Sequence, residues 1–254
     1  RQRILLHVDT PRIDIQTEIE WHQRQVLLKA AFPLAVHASQ ATYECAFGYV
    51  QRPTHRNTSW DAARFEVAGH RWADLSETGY GVSLLNDGKY GHDCLGNVLR
   101  LTLLKSAIEP DPLADEGSHS FSYAIYPHGP DWSIEDTVRA AAAFNMPVHT
   151  RLVSKNEGLL PAGASLVTSD SLHAVVDTVK PAEDGNGLIV RVYDCANRRG
   201  LVTLTFAHPI ASAVPVTILE EPDPNAALTT GQDTLKFELL PFQVRSFRIV
   251  LNNV

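Results

Sequence analysis

The chain has 254 residues, of which 44% are hydrophobic and 20% charged, a composition that can bury one or two sizeable cores. Its net charge of −7 and the lack of a basic stripe exclude a nucleic-acid-binding surface. No window approaches the roughly 20 apolar residues that span a bilayer, and the first residues lack the order of a signal peptide, so no membrane association is predicted.

Alternation of apolar and polar residues with period two dominates the chain and predicts half-buried β-strands. The first such strands hold Ile13, Ile15, Ile19 and Trp21 on one face, and later Phe121, Tyr123 and Ile125. After the turn residues 184–187, four short antiparallel strands follow, with the apolar triplets Leu188, Val190 and Val192; Val202, Leu204 and Phe206; Leu235, Phe237 and Leu239; and Phe247, Ile249 and Leu251. The fold class is therefore all-β.

One short helix interrupts the strands. Ser133 followed by Asp136 is typical of a helix start, and the Ala-rich residues 137–144 continue it until Asn145 and Pro147 end it. We predict a single short helix at this point.

A domain boundary is predicted where loop-forming residues cluster between 153 and 165. It divides the chain into a larger β region, residues 1–155, and a smaller one, residues 156–254. Two packed sheet layers are the architecture most consistent with this pattern.

Cysteines and histidines give no sign of a metal site within the chain. Cys45, Cys94 and Cys195 are too few and too scattered for a disulfide framework or a zinc pair, which favours a reducing cytoplasm. None of the scattered histidines has the spacing of a zinc motif: His55, His70, His92, His119 and His128.

Residues 47–67, FGYVQRPTHRNTSWDAARFEV, combine aromatic, arginine, asparagine and acidic side chains. Such a mixture can bond the hydroxyls of a sugar while an aromatic ring covers its apolar face, so Arg56 and Asp61 around Trp60 are substrate-binding candidates. The alternative interpretation is that Trp60 belongs to the core and the charged residues form ion pairs along a strand edge.

A second stretch, residues 70–91 (HRWADLSETGYGVSLLNDGKYG), ends in a loop that contains Asp87, Lys89 and Tyr90. An acid, a base and a phenol lie within this short loop, which makes them pocket-lining candidates. Asn, Asp and Gly also suit an ordinary turn between strands, and the residues alone favour that simpler interpretation.

These blocks, followed by GNVLRLTLLK at 96–105, resemble the C-terminal β-rich region of glycoside hydrolase family 38, the α-mannosidases, and in particular its bacterial and cytosolic branch. The segments at 18–34, 180–194 and 240–249 also fit. The resemblance implies a large β-sandwich like that of galactose mutarotases followed by a small C-terminal β-sandwich. It also implies that the loop with Asp87, Lys89 and Tyr90 shapes the sugar pocket, and that Tyr49 contacts the sugar.

The resemblance further implies hydrolysis of terminal α-mannosyl linkages with retention, using zinc or another divalent metal. In the family, the metal ligands and the nucleophile lie in an N-terminal α/β domain, so we expect no catalytic residue and no metal ligand within this chain, and little activity from it alone. The lack of a methionine at Arg1 fits excision from a longer protein. The expected partners are α-mannosides or oligosaccharides, the N-terminal catalytic domain, and a second copy if exposed apolar surface drives self-association.

Two alternatives stay open. A stand-alone carbohydrate-binding β-sandwich would bind mannose without turnover, and a purely structural domain would pack on a catalytic partner without touching sugar. The second alternative predicts unchanged turnover when the loop is altered, whereas a pocket-lining loop predicts a loss.

Overall fold

The computed structural model describes residues 1–154, 158 and 163–252. The chain forms two compact units, Arg1–Val148 and His149–Val254, which we call the first and second units. The predicted boundary between residues 155 and 156 falls among residues that are not described, so that position stays a prediction.

The first unit contains eleven strands: β1 (Gln2–Leu6), β2 (Ile13–Trp21), β3 (Leu27–Pro33), β4 (Gln40–Cys45), β5 (Gly48–Pro53), β6 (Val67–Ala68), β7 (Trp72–Glu77), β8 (Tyr80–Asn86), β9 (Gly91–Leu95), β10 (Val98–Lys105) and β11 (Gly117–His128). A seven-stranded sheet has the order β1-β2-β11-β8-β7-β4-β5, and a four-stranded sheet has the order β3-β10-β9-β6. All pairings are antiparallel.

Side-chain alternation explains why these two sheets pack face to face. Tyr43 and Leu75 of the larger sheet share one apolar core with Leu99 and Leu101 of the smaller sheet. Neighbouring residues in each strand point the other way, onto the outer face of the larger sheet, because the side-chain period of a strand is two. Polar residues such as Asp74 and Glu44 therefore line that outer face.

Two helices accompany the sheets. The predicted helix is present as α2 (Ile134–Asn145), and Asp136 Oδ2 accepts a hydrogen bond from the Ser133 amide at 3.0 Å, which caps its first turn. Helix α2 packs on β7 and β8. The sequence did not predict the five-residue helix α1 (Ser59–Ala63).

The second unit is a smaller sandwich of two four-stranded sheets. Its strands are β12 (Val167–Ser169), β13 (Ala174–Pro181), β14 (Leu188–Asp194), β15 (Gly200–Phe206), β16 (Ile210–Val216), β17 (Thr229–Thr230), β18 (Thr234–Leu239) and β19 (Val244–Leu251). They are ordered β12-β15-β18-β17 and β13-β14-β19-β16. The four predicted apolar triplets all lie in strands, and most of their members form the core between the sheets.

The all-β class, with a large sandwich followed by a smaller one, is thus confirmed. The likeness to galactose mutarotases stays a prediction. Within the described ranges, no helix is long and apolar enough to cross a membrane.

Candidate functional site

The loop that follows β8 is held in place by Asn86, which is fully buried. Its side-chain oxygen accepts hydrogen bonds from the amides of Gly88 at 3.0 Å and Lys89 at 2.8 Å, and its side-chain nitrogen donates to the His70 carbonyl at 2.7 Å. The Asn145 side chain of α2 donates to the Asn86 carbonyl at 2.9 Å. One buried amide therefore sets the loop conformation and ties it to two other segments.

Three predicted site residues, Asp87, Lys89 and Tyr90, come together in this loop. Asp87 Oδ2 accepts a hydrogen bond from the Ser122 amide at 2.7 Å, which extends the pairing of β8 with β11. Lys89 Nζ lies 4.6 Å from the centre of the Phe121 ring. Tyr90 is half exposed, and its ring centre lies 5.5 Å from that of His70. The Tyr90 side chain is thus the most available for a ligand.

Beside this loop, the outer face of the larger sheet carries a small polar cavity of about 230 Å³. Ser122, the residue that pairs with Asp87, lies on its wall together with Ser120 of the same strand. Arg3 and Gln16 face each other across β1 and β2 and complete the wall. Hydroxyl, amide and guanidinium groups in one cavity can donate to and accept from a sugar hydroxyl.

On the other side of the loop, the outer face continues through Glu44 and Arg71. The Glu44 side chain is 5% exposed and accepts from the Arg71 guanidinium at 2.5 Å and from the Arg71 amide at 2.7 Å. Tyr49 faces Glu44 in the β4–β5 pairing, and its ring centre lies 6.4 Å from that of Trp72. Tyr49 therefore shares the outer face with the loop.

Sequence reasoning missed Glu44, His70, Arg71 and Ser122 as members of this region. Arg71 lies 27 positions from Glu44, and Ser122 lies 35 from Asp87, so no local spacing reveals either contact. One signal in the sequence could have indicated two of them. Successive side chains of a strand point to opposite faces of the sheet, so Glu44 and Ser122 must lie on the face opposite to Tyr43 and Tyr123.

Arg56 and Asp61 lie in the segment around α1. Asp61 and Thr58 form a reciprocal cap, in which the Asp61 amide donates to Thr58 Oγ1 at 3.1 Å and the Thr58 amide donates to Asp61 Oδ2 at 3.3 Å. Within the described residues, no hydrogen bond or ion pair joins Arg56 or Asp61 to the loop after β8. Trp60 is 76% exposed, so the interpretation that it belongs to the core is wrong.

Because α1 buries no residue, its cap should matter little to the stability of the first unit. We expect Asp61→Ala to lower the free energy of unfolding by about 0.5–1 kcal/mol, the lower part of the range for a helix cap. Urea unfolding followed by tryptophan fluorescence measures this change, since all four tryptophans lie in the first unit. A much larger loss would show that Asp61 holds more than this helix.

Several carboxylates of the first unit are engaged in local structure. Besides Glu44, Asp61 and Asp87, the Asp74 carboxylate accepts from Ser83 at 2.7 Å, that of Glu77 accepts from the His37 amide at 2.6 Å, and that of Asp93 pairs with Lys29. In the part of the chain that the structure describes, no three His, Cys, Asp or Glu side chains are placed to hold a metal ion. The described residues of this chain therefore do not form a site for the divalent metal, whose ligands the resemblance places in another domain.

Comparison with known proteins agrees with this architecture. Residues 1–113 match the family described as "Glycosyl hydrolases family 38 C-terminal domain", and residues 173–247 match "Glycosyl hydrolases family 38 C-terminal beta sandwich domain". The chain is similar to alpha-mannosidase 2C1 of Homo sapiens, at 42% identity over 98% of the chain and 24% of the relative. It is also similar to alpha-mannosidase G of Dictyostelium discoideum, at 36% identity over 99% of the chain and 23% of the relative.

A solved structure shows the same fold. The crystal structure of an alpha-mannosidase from Enterococcus faecalis V583 superposes with a TM-score of 0.83 at 19% identity, over 97% of this chain and 28% of that protein. This chain thus spans about a quarter of the length of the curated relatives it matches. It belongs to glycoside hydrolase family 38, and it contains the two C-terminal β domains of that family.

Proposed function

We propose that this chain is part of an α-mannosidase that hydrolyses terminal α-mannosyl linkages with retention, in which it completes the sugar pocket and supports a separate catalytic domain. Its relatives, which are named alpha-mannosidases, are about four times as long as the part that this chain matches. The nucleophile and the metal ligands would lie in the remaining length of such an enzyme.

The observation that carries this proposal is the ordered loop after β8 at the rim of a polar face. Asn86 fixes the loop conformation without a bound ligand. Tyr90, at the end of the loop, leaves about half of its side chain exposed. Groups held in one conformation before binding lose little freedom when a sugar arrives. This arrangement suits a pocket wall that a catalytic domain completes.

An apolar cavity of about 420 Å³ on the first unit is our candidate for the surface that contacts the catalytic domain. Exposed Val26, Leu27, Phe65 and Ile108 lie around it. Clustered apolar surface of this kind favours a protein partner, and the relatives carry the additional length that would supply one. Self-association of this chain through the same surface is the competing outcome, which size-exclusion chromatography measures.

A cytoplasmic location is also part of the proposal. Cys45, Cys94 and Cys195 are not joined by disulfides, as is usual for proteins of a reducing compartment.

The test is made in a full-length enzyme that contains this chain, with an aryl α-mannoside as substrate. We expect Tyr90→Phe to lower kcat/KM about tenfold, the effect of losing one good hydrogen bond to a bound sugar. Asp87→Ala should lower it further, because the loop also loses its bond to the Ser122 amide.

Lys89→Met tests the third residue of the loop, and Lys236→Met is its matched control. Lys236 is exposed on β18 of the second unit. Lys236→Met should leave kcat/KM unchanged, whereas Lys89→Met should reduce it. Unchanged turnover in Tyr90→Phe, Lys89→Met and Asp87→Ala would instead support a purely structural domain. Mannoside hydrolysis by the 254-residue chain alone would contradict the need for a separate catalytic domain.

A further inference from the structure

An open groove of about 640 Å³ lies at the opposite end of β8 from the loop described above. Tyr80 begins this strand and Asn86 ends it, so the two places are about 20 Å apart at roughly 3.3 Å per residue. The groove, which we call the aromatic groove, is lined chiefly by Tyr80, Tyr126, His128, Asp131, Trp132 and Asp136. The proposed function uses none of these residues.

The Trp132 ring in this groove is held in a fixed orientation. Its Nε1 donates a hydrogen bond to Thr137 Oγ1 at 2.9 Å. Its face stacks on the His128 ring, with ring centres 4.0 Å apart and an angle of 12° between the planes. One edge and one face of the indole are thus fixed by the protein, while the side chain as a whole stays partly exposed.

A buried carboxylate supports this stack from beneath. His128 Nε2 lies 2.8 Å from Asp74 Oδ2, and the two side chains are 4% and 3% exposed. Asp74 Oδ2 also accepts from Ser83 Oγ at 2.7 Å. In the described residues, His128 Nδ1 is buried without a hydrogen-bond partner. The groove therefore has a rigid aromatic base that buried side chains hold from below.

The groove chemistry selects the class of ligand. No Lys or Arg is among the described residues that line it, which disfavours phosphate and acidic ligands. Aromatic rings can cover the apolar face of a pyranose. The Asp131 carboxylate and Asp136 Oδ1, the Asp136 oxygen that does not cap α2, can accept hydrogen bonds from its hydroxyls. The volume lies within the range of small-molecule sites and is large enough for two or three sugar rings.

We propose that the aromatic groove is a second carbohydrate site, which binds a neutral mannose oligosaccharide at a distance from the loop after β8. The choice of mannose rests on the proposed function, whereas the neutral sugar class rests on the groove itself. In a longer enzyme, such a site would hold a distant arm of a branched substrate and raise the local concentration of its cleavable end.

The test is binding of α-linked mannotriose to the 254-residue chain, measured by isothermal titration calorimetry, with maltotriose as a comparison sugar. We expect mannotriose to bind and Tyr80→Ala to weaken that binding at least about tenfold. Tyr80 is exposed, so this change should not disturb folding. Asp131→Asn, also at an exposed position, should weaken binding by a smaller factor because only one acceptor changes.

Leu201→Ala, at an exposed position on β15 of the second unit, is the control and should leave mannotriose binding within about twofold. Loss of binding in Tyr90→Ala with retention in Tyr80→Ala would overturn the proposal, because the sugar would then occupy the loop after β8. Absence of any binding at millimolar mannotriose would overturn it as well. Neither result depends on turnover, so failure here leaves the mannosidase assignment to its own test.

Discussion

Replacement of Asp194 by alanine should destabilise the second unit by about 3–5 kcal/mol, the range for breaking a buried and charged hydrogen-bond network. Asp194 is completely buried at the end of β14. Its carboxylate lies 2.9 Å from His173 Nδ1 and accepts hydrogen bonds from the amides of Ala196 at 3.3 Å, Arg198 at 3.1 Å and Phe242 at 2.8 Å. Alanine would remove the buried carboxylate that contacts His173 and these three amides.

The position of Asp194 explains the size of this effect. The amides of Ala196 and Arg198 belong to the connection from β14 to β15, and Phe242 belongs to the connection from β18 to β19. Strands β14 and β19 lie in one sheet, and β15 and β18 lie in the other. One carboxylate therefore joins two of the connections that pass between the sheets.

Amide hydrogen exchange of β14 and β19 measures the stability of this unit directly, whereas tryptophan fluorescence reports only the first unit. Asp177→Ala is the matched control, because Asp177 is exposed and its carboxylate contacts only the neighbouring Thr178 hydroxyl among the described hydrogen bonds. It should change stability by less than about 0.5 kcal/mol. A loss below about 1 kcal/mol in Asp194→Ala would show that water replaces the carboxylate.

A second large effect is expected from acid. His92 is fully buried in β9. Burial, followed by the positive charges of Lys29 and Arg52, lowers the pKa of His92 to about 4 from its usual value of 6.5. Within the described residues, neither ring nitrogen has a hydrogen bond of ordinary geometry. The Asp93 carboxylate and the His70 backbone raise the pKa of His92, but by less than burial and the two cations lower it.

The folded first unit should therefore lose stability as the pH falls from 6.5 to 4. In this window the unfolded chain binds a proton at position 92 that the folded chain does not, so the free energy of unfolding decreases with decreasing pH. The full contribution is about 3 kcal/mol, at about 1.4 kcal/mol for each pKa unit. Well above pH 6.5, both states are neutral at this position and the contribution is constant.

His92→Leu should remove most of this acid dependence, since leucine cannot bind a proton and can pack against Tyr43 in place of the imidazole. Urea unfolding followed by tryptophan fluorescence at several pH values between 4 and 7 measures how the free energy of unfolding changes with pH, which we call the pH slope. His22→Asn, at an exposed position, is the matched control and should keep the slope of the unmodified chain. An equal slope in His92→Leu would assign the acid sensitivity to other groups.

Much of the fold could be predicted because the alternation of apolar and polar residues, which marks a strand, is visible within a few neighbouring positions of the sequence. Leu188, Val190 and Val192 show their strand within five residues, and Ser133 with Asp136 marks the start of α2. Helix α1 was missed because it has one turn and no buried face, so it leaves no apolar period to detect. Its cap, Thr58 with Asp61, is the only local sign of it.

The candidate site was harder to predict because its contacts join distant segments. The loop residues Asp87, Lys89 and Tyr90 were found as a cluster in sequence. Their neighbours His70, Phe121 and Ser122 come from other strands, and only the order of the sheet brings them near. The buried pair of Asp74 and His128 under the aromatic groove escaped notice for the same reason.

The anchoring of the loop by Asn86 has a consequence for conformational entropy. A free loop of this length would sample many backbone conformations, and fixing each residue costs about 1–2 kcal/mol at room temperature. Here the Asn86 side chain accepts hydrogen bonds from the Gly88 and Lys89 amides, and the Asn145 side chain donates one to the Asn86 carbonyl. These bonds offset that cost when the chain folds. A sugar that meets Tyr90 would therefore encounter a loop whose disorder was removed during folding, and its affinity would not be reduced by ordering the backbone.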